Sequence, residues 1–130
     1  MQEKSPSLRV LVVDDEPLIR WCLTETLASA GHVVVEAGDA ETAVRTLTES
    51  PEPVDVVLLD YHLPDSSSLA LLSTIRRLAP RTQVILMTAY GSPEVTKGAL
   101  ELGAYRVVDK PFEMRDATAM VVQAHSARPQ

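Results

Sequence analysis

Five short aliphatic runs recur along the chain, and each is followed by a segment whose apolar residues return every three or four positions. Leu8–Val13, His32–Ala37, Val56–Leu59, Thr82–Thr88 and Tyr105–Asp109 are rich in Val, Ile and Leu and too short for helices, so they read as buried strands. Between them, Leu18 to Ala30 carries Ile19, Leu23 and Leu27 on one helical face. Ala43, Val44 and Leu47 form a second such face, and Leu69, Leu72, Ile75 and Leu78-Ala79 a third. Val95, Ala99 and Leu102 form a fourth, and Met114, Ala117, Val121 and Val122 a fifth, in a helix from about Glu113 to about Ala124. Strands apolar on both faces that alternate with helices require a parallel sheet covered on both sides. The expected fold is therefore α/β, a doubly wound five-stranded parallel sheet of order 2-1-3-4-5 with five helices.

The punctuation agrees with that division. Gly31 and Gly103 are placed to stop helices, and Asp39 and Ser92 to cap their starts. Pro17 and Pro93 sit where a first helical turn tolerates proline, and Pro51, Pro53 and Pro80 end the helices before them. With 130 residues the expectation is one domain, 1–130, with a core from about residue 8 to 124 and loose ends at 1–6 and 127–130. A net charge of −6 without a basic run argues against direct nucleic-acid binding. The single cysteine, Cys22, reads as a core or half-buried thiol of a reducing compartment. No apolar stretch is long enough to span a membrane and no signal segment opens the chain, so a cytoplasmic protein is expected.

The strand order decides where chemistry belongs. Its switch point lies between the first and third strands, and open parallel sheets place their sites at the carboxyl ends beside it. Asp14 and Asp15 end the first strand, and Asp60 ends the third. Three neighbouring carboxylates repel unless protons or a cation offset them, and oxygen-only donors suit a hard ion such as Mg²⁺. Thr88 ends the fourth strand and Lys110 follows the fifth, which adds a hydroxyl and an ammonium. Cation, carboxylate nucleophile, hydroxyl and lysine together suit phosphoryl transfer. Taken singly, each has a plainer reading: Asp60 a loop aspartate, Asp14-Asp15-Glu16-Pro17 an acidic helix start, Lys110 a solvated lysine, Thr88 a strand residue.

Four motifs carry a family resemblance: Val12-Val13-Asp14-Asp15-Glu16-Pro17, Leu58-Leu59-Asp60-Tyr61-His62-Leu63-Pro64-Asp65, Met87-Thr88-Ala89-Tyr90-Gly91-Ser92 and Asp109-Lys110-Pro111-Phe112. In order and spacing they resemble the receiver domain of two-component response regulators, a CheY-like, flavodoxin-like fold, from about Leu8 to about Ala124. The Thr-Ala-Tyr-Gly-Ser stretch and Pro17-Leu18-Ile19-Arg20-Trp21 look most like receivers of NtrC-type transcriptional activators. The resemblance implies that Asp60 accepts a phosphoryl group from a histidine kinase. It implies Mg²⁺ on Asp15 and Asp60, with the backbone carbonyl of His62 as a further ligand and Asp14 acting through water. Thr88 and Lys110 would hold the phosphoryl oxygens, and the Lys110–Pro111 bond would be cis. Phosphorylation would then switch conformation to control an output, a transcriptional one by the NtrC-like look. The fourth helix, fifth strand and fifth helix would meet an output domain or partner, or a second copy in a homodimer. Catalysis beyond its own phosphorylation and dephosphorylation is not expected.

Two positions depart from the family pattern. Val107 stands where many receivers carry an aromatic that changes rotamer on activation, and Tyr105, two residues earlier on the same expected strand face, is a possible substitute. Ser68 stands where glycine is usual, and a positive φ there would strain it or rearrange the loop. His62 and Tyr90 occupy the variable positions that tune phosphoryl lifetime in the family. These departures keep open an alternative, a pseudo-receiver interaction module acting without phosphorylation. An aspartyl-phosphate phosphatase is disfavoured because neither Asp14 nor Asp60 is followed two residues on by a second aspartate. A flavodoxin-type carrier is disfavoured because the first loop is acidic.

Overall fold

The structure, a computed structural model, describes residues 7–89 and 91–127. The strands are β1 (Arg9–Val13), β2 (Val33–Ala37), β3 (Val56–Asp60), β4 (Gln83–Thr88) and β5 (Arg106–Asp109). The helices are α1 (Pro17–Ser29), α2 (Ala40–Glu49), α3 (Ser68–Leu78), α4 (Pro93–Glu101) and α5 (Met114–Ser126). All strand pairings are parallel, in the order β2-β1-β3-β4-β5. This is the doubly wound sheet that the alternation predicts.

Successive side chains of a strand point to opposite faces, so each strand feeds two cores. Leu11, Val13, Val57, Leu59, Val84 and Leu86 pack under α2, α3 and α4 through Ala43, Leu71, Leu72, Ile75 and Ala99. Val10, Val12, Val56, Leu58, Ile85 and Met87 pack under α1 and α5 through Leu23, Leu27, Ala117, Met120, Val121 and Ala124. β3 and β4 are buried along their whole length, whereas the edge strands β2 and β5 are mostly exposed or half-buried. Each fully buried Leu or Ile side chain contributes about 1.5–3 kcal/mol. The central strands therefore anchor the carboxyl edge on which the site stands.

Helix ends follow the expected chemistry. Asp39 accepts from the Thr42 amide and Ser92 from the Val95 amide, and Pro17 and Pro93 occupy first turns. Gly31 takes φ +96° just after α1, a conformation closed to most side chains. Several expectations are corrected. α3 starts at Ser68 with Ser67 as its cap, which turns Leu71 inward and leaves Leu78 45% exposed. Leu102 lies past the last turn of α4 and is 39% exposed, so Ala99 carries that helix's inner face. Tyr105 precedes β5 and packs on the α1/α5 side, while Val107 packs on the α2/α3/α4 side. The shared strand face proposed for Tyr105 and Val107 is thus absent, because Tyr105 lies outside the regular pleat. Ala127 caps α5 by its own amide; the other expected loose ends, 1–6 and 128–130, lie outside the described residues, as does Tyr90.

Candidate functional site

The order β2-β1-β3 brings the ends of β1 and β3 side by side, with Val13 opposite Leu59. One carboxylate oxygen each from Asp14, Asp15 and Asp60 lies within 4.8 Å of the others. The strand ends bury them unequally. Asp14 is fully buried, Asp60 is 3% exposed and Asp15 faces solvent. Lys110 arrives from the far side, since the residue after β5 is held by its amide to the Thr88 carbonyl at 2.8 Å. Its Nζ donates to Asp14 Oδ2 at 3.0 Å and Asp60 Oδ1 at 3.2 Å, with Glu16 Oε1 at 3.8 Å. The Lys110–Pro111 bond is cis, as expected.

Every polar atom of Asp14 is engaged. Its amide donates to the Ala37 carbonyl, and its Oδ1 accepts from the Glu16 amide at 2.9 Å. Its Oδ2 takes Lys110, and its carbonyl takes Arg20 Nη1 at 2.6 Å. That arrangement suits a carboxylate reaching a cation through water. Asp15 has no hydrogen-bond or ion-pair partner among the described residues, so its oxygens are open to a ligand. At Asp60, burial and then the Asp14 charge push the carboxyl above the ordinary aspartate range; Lys110 and the His62 amide oppose this without cancelling it. For Lys110, burial pulls downward but Asp14 and then Asp60 outweigh it, leaving the ammonium above its ordinary value. One lysine therefore undercompensates a set of acids, and an oxygen-only donor set with surplus negative charge fits a hard divalent cation. Asp14, Asp15 and Asp60 are the residues that could hold it.

Thr88 ends β4 one residue beyond Met87, the register partner of Asp60, and is buried. Asp60, Asp14, Asp15, Thr88 and Lys110 thus all reach the same edge, from the ends of four strands. His62 begins a loop closed by its bridge to Ser67, and its amide is held at the Asp60 carboxylate. Its ring lies exposed, edge-on to Tyr61 at 5.0 Å. The strain considered for Ser68 is absent, for no described non-glycine residue has positive φ. Ser68 is buried instead, and its hydroxyl donates to the Asp60 carbonyl at 2.5 Å.

Residues 10–122 match the response regulator receiver domain family. The chain belongs to that family. This receiver is 37% identical over 117 residues to the DNA-binding transcriptional regulator NtrC of Escherichia coli (strain K12), covering 90% of this chain and 24% of that protein. It is 32% identical over 115 residues to NtrC of Azospirillum brasilense, covering 88% and 24%. The receiver therefore spans about a quarter of the length of these curated relatives. Among solved structures it resembles a CheY-like receiver domain protein from Methanospirillum hungatei JF-1, at TM-score 0.86 and 27% identity, covering 93% of this chain and 95% of that one. It also resembles a beryllofluoride-activated NtrC4 receiver domain dimer, at TM-score 0.84 and 30% identity, covering 91% and 96%.

Three contacts of this receiver carry no signal in the sequence. The Asp65 carboxylate leaves the β3–α3 loop to accept the Ala40 and Glu41 amides, at 2.8 and 3.0 Å, at the start of α2. Arg20 crosses from α1 to the Asp14 carbonyl and to Glu36 on β2. The Ser68 hydroxyl reaches back to Asp60. A Ser-rich loop and an acid after proline announce turns, not these partners. No helix among the described residues is long and apolar enough to cross a membrane.

Proposed function

We propose that this receiver takes a phosphoryl group from the phosphohistidine of a histidine kinase onto Asp60 and switches conformation to control transcription. The observation that carries this reading is the convergence of Asp60 with Asp14, Asp15 and Lys110 at one edge. In the step, the phosphorus–nitrogen bond to the donor imidazole breaks and a bond from phosphorus to an Asp60 carboxylate oxygen forms. The imidazole leaves with its electron pair and takes up a proton. Asp15 and Asp60 would hold Mg²⁺, with the His62 carbonyl as a further ligand and Asp14 acting through water, and the ion would supply positive charge against the phosphoryl oxygens. Thr88 and Lys110 hold those oxygens once the acyl phosphate exists.

The acyl phosphate is dianionic and offers strong acceptors where Asp60 offered one charge. Lys110 must then divide itself between Asp14 and the phosphoryl group, and that differential interaction biases two conformations. The receiver's own phosphorylation and dephosphorylation are its only catalysis. Its partners are the kinase and an output domain or protein met through α4, β5 and α5, the surface we also assign to a homodimer. The site of action is the cytoplasm. Val107 has no ring to bury or release, which favours a second reading as a pseudo-receiver acting without phosphate.

Intact mass after incubation with Mg²⁺ and acetyl phosphate tests the two. One added phosphoryl group, lost in Asp60→Asn and without metal, is the expected result. No adduct in the wild-type protein would transfer the reading to the pseudo-receiver.

A further inference from the structure

Asp15 offers the most open carboxylate of the acid cluster, yet none of its own side-chain contacts fixes it. Its place depends on the backbone, and above all on the peptide that joins it to Asp14. A peptide unit is planar, so holding the carbonyl oxygen of Asp14 fixes the plane that carries Asp15. Arg20 holds that oxygen, Nη1 to O at 2.6 Å, from the end of the first turn of α1. The same guanidinium is anchored on its Nε side by Glu36 Oε1 at 3.2 Å, on the edge strand β2. Gly38 leaves the room for it: a Cβ there would stand 3.1 Å from Arg20 Nη1. The other ties of this turn fall on Asp14 and Glu16, not on Asp15: the Asp14 amide to Ala37, the Glu16 amide to Asp14 Oδ1, Lys110 to Asp14 Oδ2 and Glu16, and the Arg20 amide to the Glu16 carbonyl. The helix that follows gives the turn no side-chain cap, since Glu16 makes no capping bond and Pro17 has no amide hydrogen.

We infer that Arg20 is a positioning residue for the cation site, acting through the Asp14 carbonyl to aim Asp15. This rests on the reading of Asp15 and Asp60 as Mg²⁺ ligands. The role needs a planar fork with two donors in fixed directions, one for Glu36 and one for the carbonyl. A lysine ammonium on its flexible stem does not hold such a plane. The role also has a sign that separates it from simple electrostatics. Arg20 places a positive charge near the acid cluster, so its charge alone would weaken binding of a dication. As an aiming device it strengthens binding.

The test is calorimetric titration of the full chain with Mg²⁺ alone, for wild type, Arg20→Lys and Arg20→Gln, with thermal unfolding of each in metal-free buffer. Both variants are expected to bind Mg²⁺ about tenfold more weakly, the scale of loss seen when a group that orients a ligand is removed. Unchanged affinity in Arg20→Lys with tighter binding in Arg20→Gln would leave Arg20 only its charge and overturn the inference. Lower melting temperatures with unchanged affinities would make it a structural staple and overturn it equally. A wild-type protein that takes up no Mg²⁺ would remove the assignment of the cation site as well, and is thereby distinguished from failure of the Arg20 role alone.

Discussion

Lys110→Met is expected to lower folding stability by about 2–4 kcal/mol in metal-free buffer at neutral pH. The ammonium lies 3.0 Å from Asp14, 3.2 Å from Asp60 and 3.8 Å from Glu16. Glu16 is largely exposed, and a pair of that kind contributes at most about 1 kcal/mol. The Asp14 and Asp60 side chains are 0% and 5% exposed, so their loss of a partner dominates. Deleting one member of a buried ion pair costs about 3–5 kcal/mol, because the remaining charge is left without compensation. Here the cost falls below the top of that range, since Asp60 already binds a proton more readily than an ordinary aspartate. The assay is urea unfolding of wild type, Lys110→Met, Asp60→Asn and the double variant, each with EDTA and with excess Mg²⁺. The double-mutant cycle should return a coupling between the two sites of about 1–3 kcal/mol. Mg²⁺ should stabilise Lys110→Met more than wild type, because it replaces the missing positive charge. A loss below about 0.5 kcal/mol, or an equal loss whether residue 60 is Asp or Asn, would refute the view that Lys110 compensates this cluster.

Asp60→Asn should be more stable than wild type without metal at pH 7. The raised carboxyl makes the ionised form unfavourable in the fold, so wild-type stability rises as pH falls through the folded value, and the gap between the two proteins should close in the ordinary aspartate range; thermal melts across a pH series read it. For Lys110 the slope with pH has the same sign but lies in the alkaline range, because its raised value favours the charged form. Its contribution is fully present below 10.5 and lost as pH rises through its higher folded value, so alkaline unfolding should come earlier for wild type than its neutral stability suggests, and Lys110→Met should lack that limb. Asp65→Ala removes two amide partners from the start of α2 and should cost about 1 kcal/mol, seen as a fall of several degrees in melting temperature with early loss of amide protection at Ala40 and Glu41. Gly31→Ala forces a side chain into φ +96° and should cost about 1 kcal/mol or more, though no atom obstructs it.

Most of the architecture was legible because it rests on periodicity. Continuous apolar runs such as Val56–Leu59 can only be satisfied between two layers, and strands of that kind alternating with helices leave few topologies. The site followed from topology in turn, since Asp14, Asp15 and Asp60 end neighbouring strands. The failures sit where one residue of register decides the outcome. Ser67, not Leu69, sets the phase of α3, so Leu71 turned inward and Leu78 outward. Alternation places Tyr105 on the face of Val107 only if the pleat extends that far, and the chain enters it one residue later, at Arg106.

The sequence by itself determined which residues could do chemistry and at which edge they would meet, because side-chain period is local and strands alternating with helices leave few strand orders. Only the tertiary structure decided how those residues differ from one another. Asp14 became a fully engaged buried hub, Asp15 an open ligand and Asp60 a reluctant acid, although all three are aspartates at strand ends. Burial and charge at each depend on groups as distant in the chain as Lys110, 96 residues from Asp14. Arg20, Asp65 and Ser68 gained their partners in the same way, through contacts that exist only once separate elements are packed.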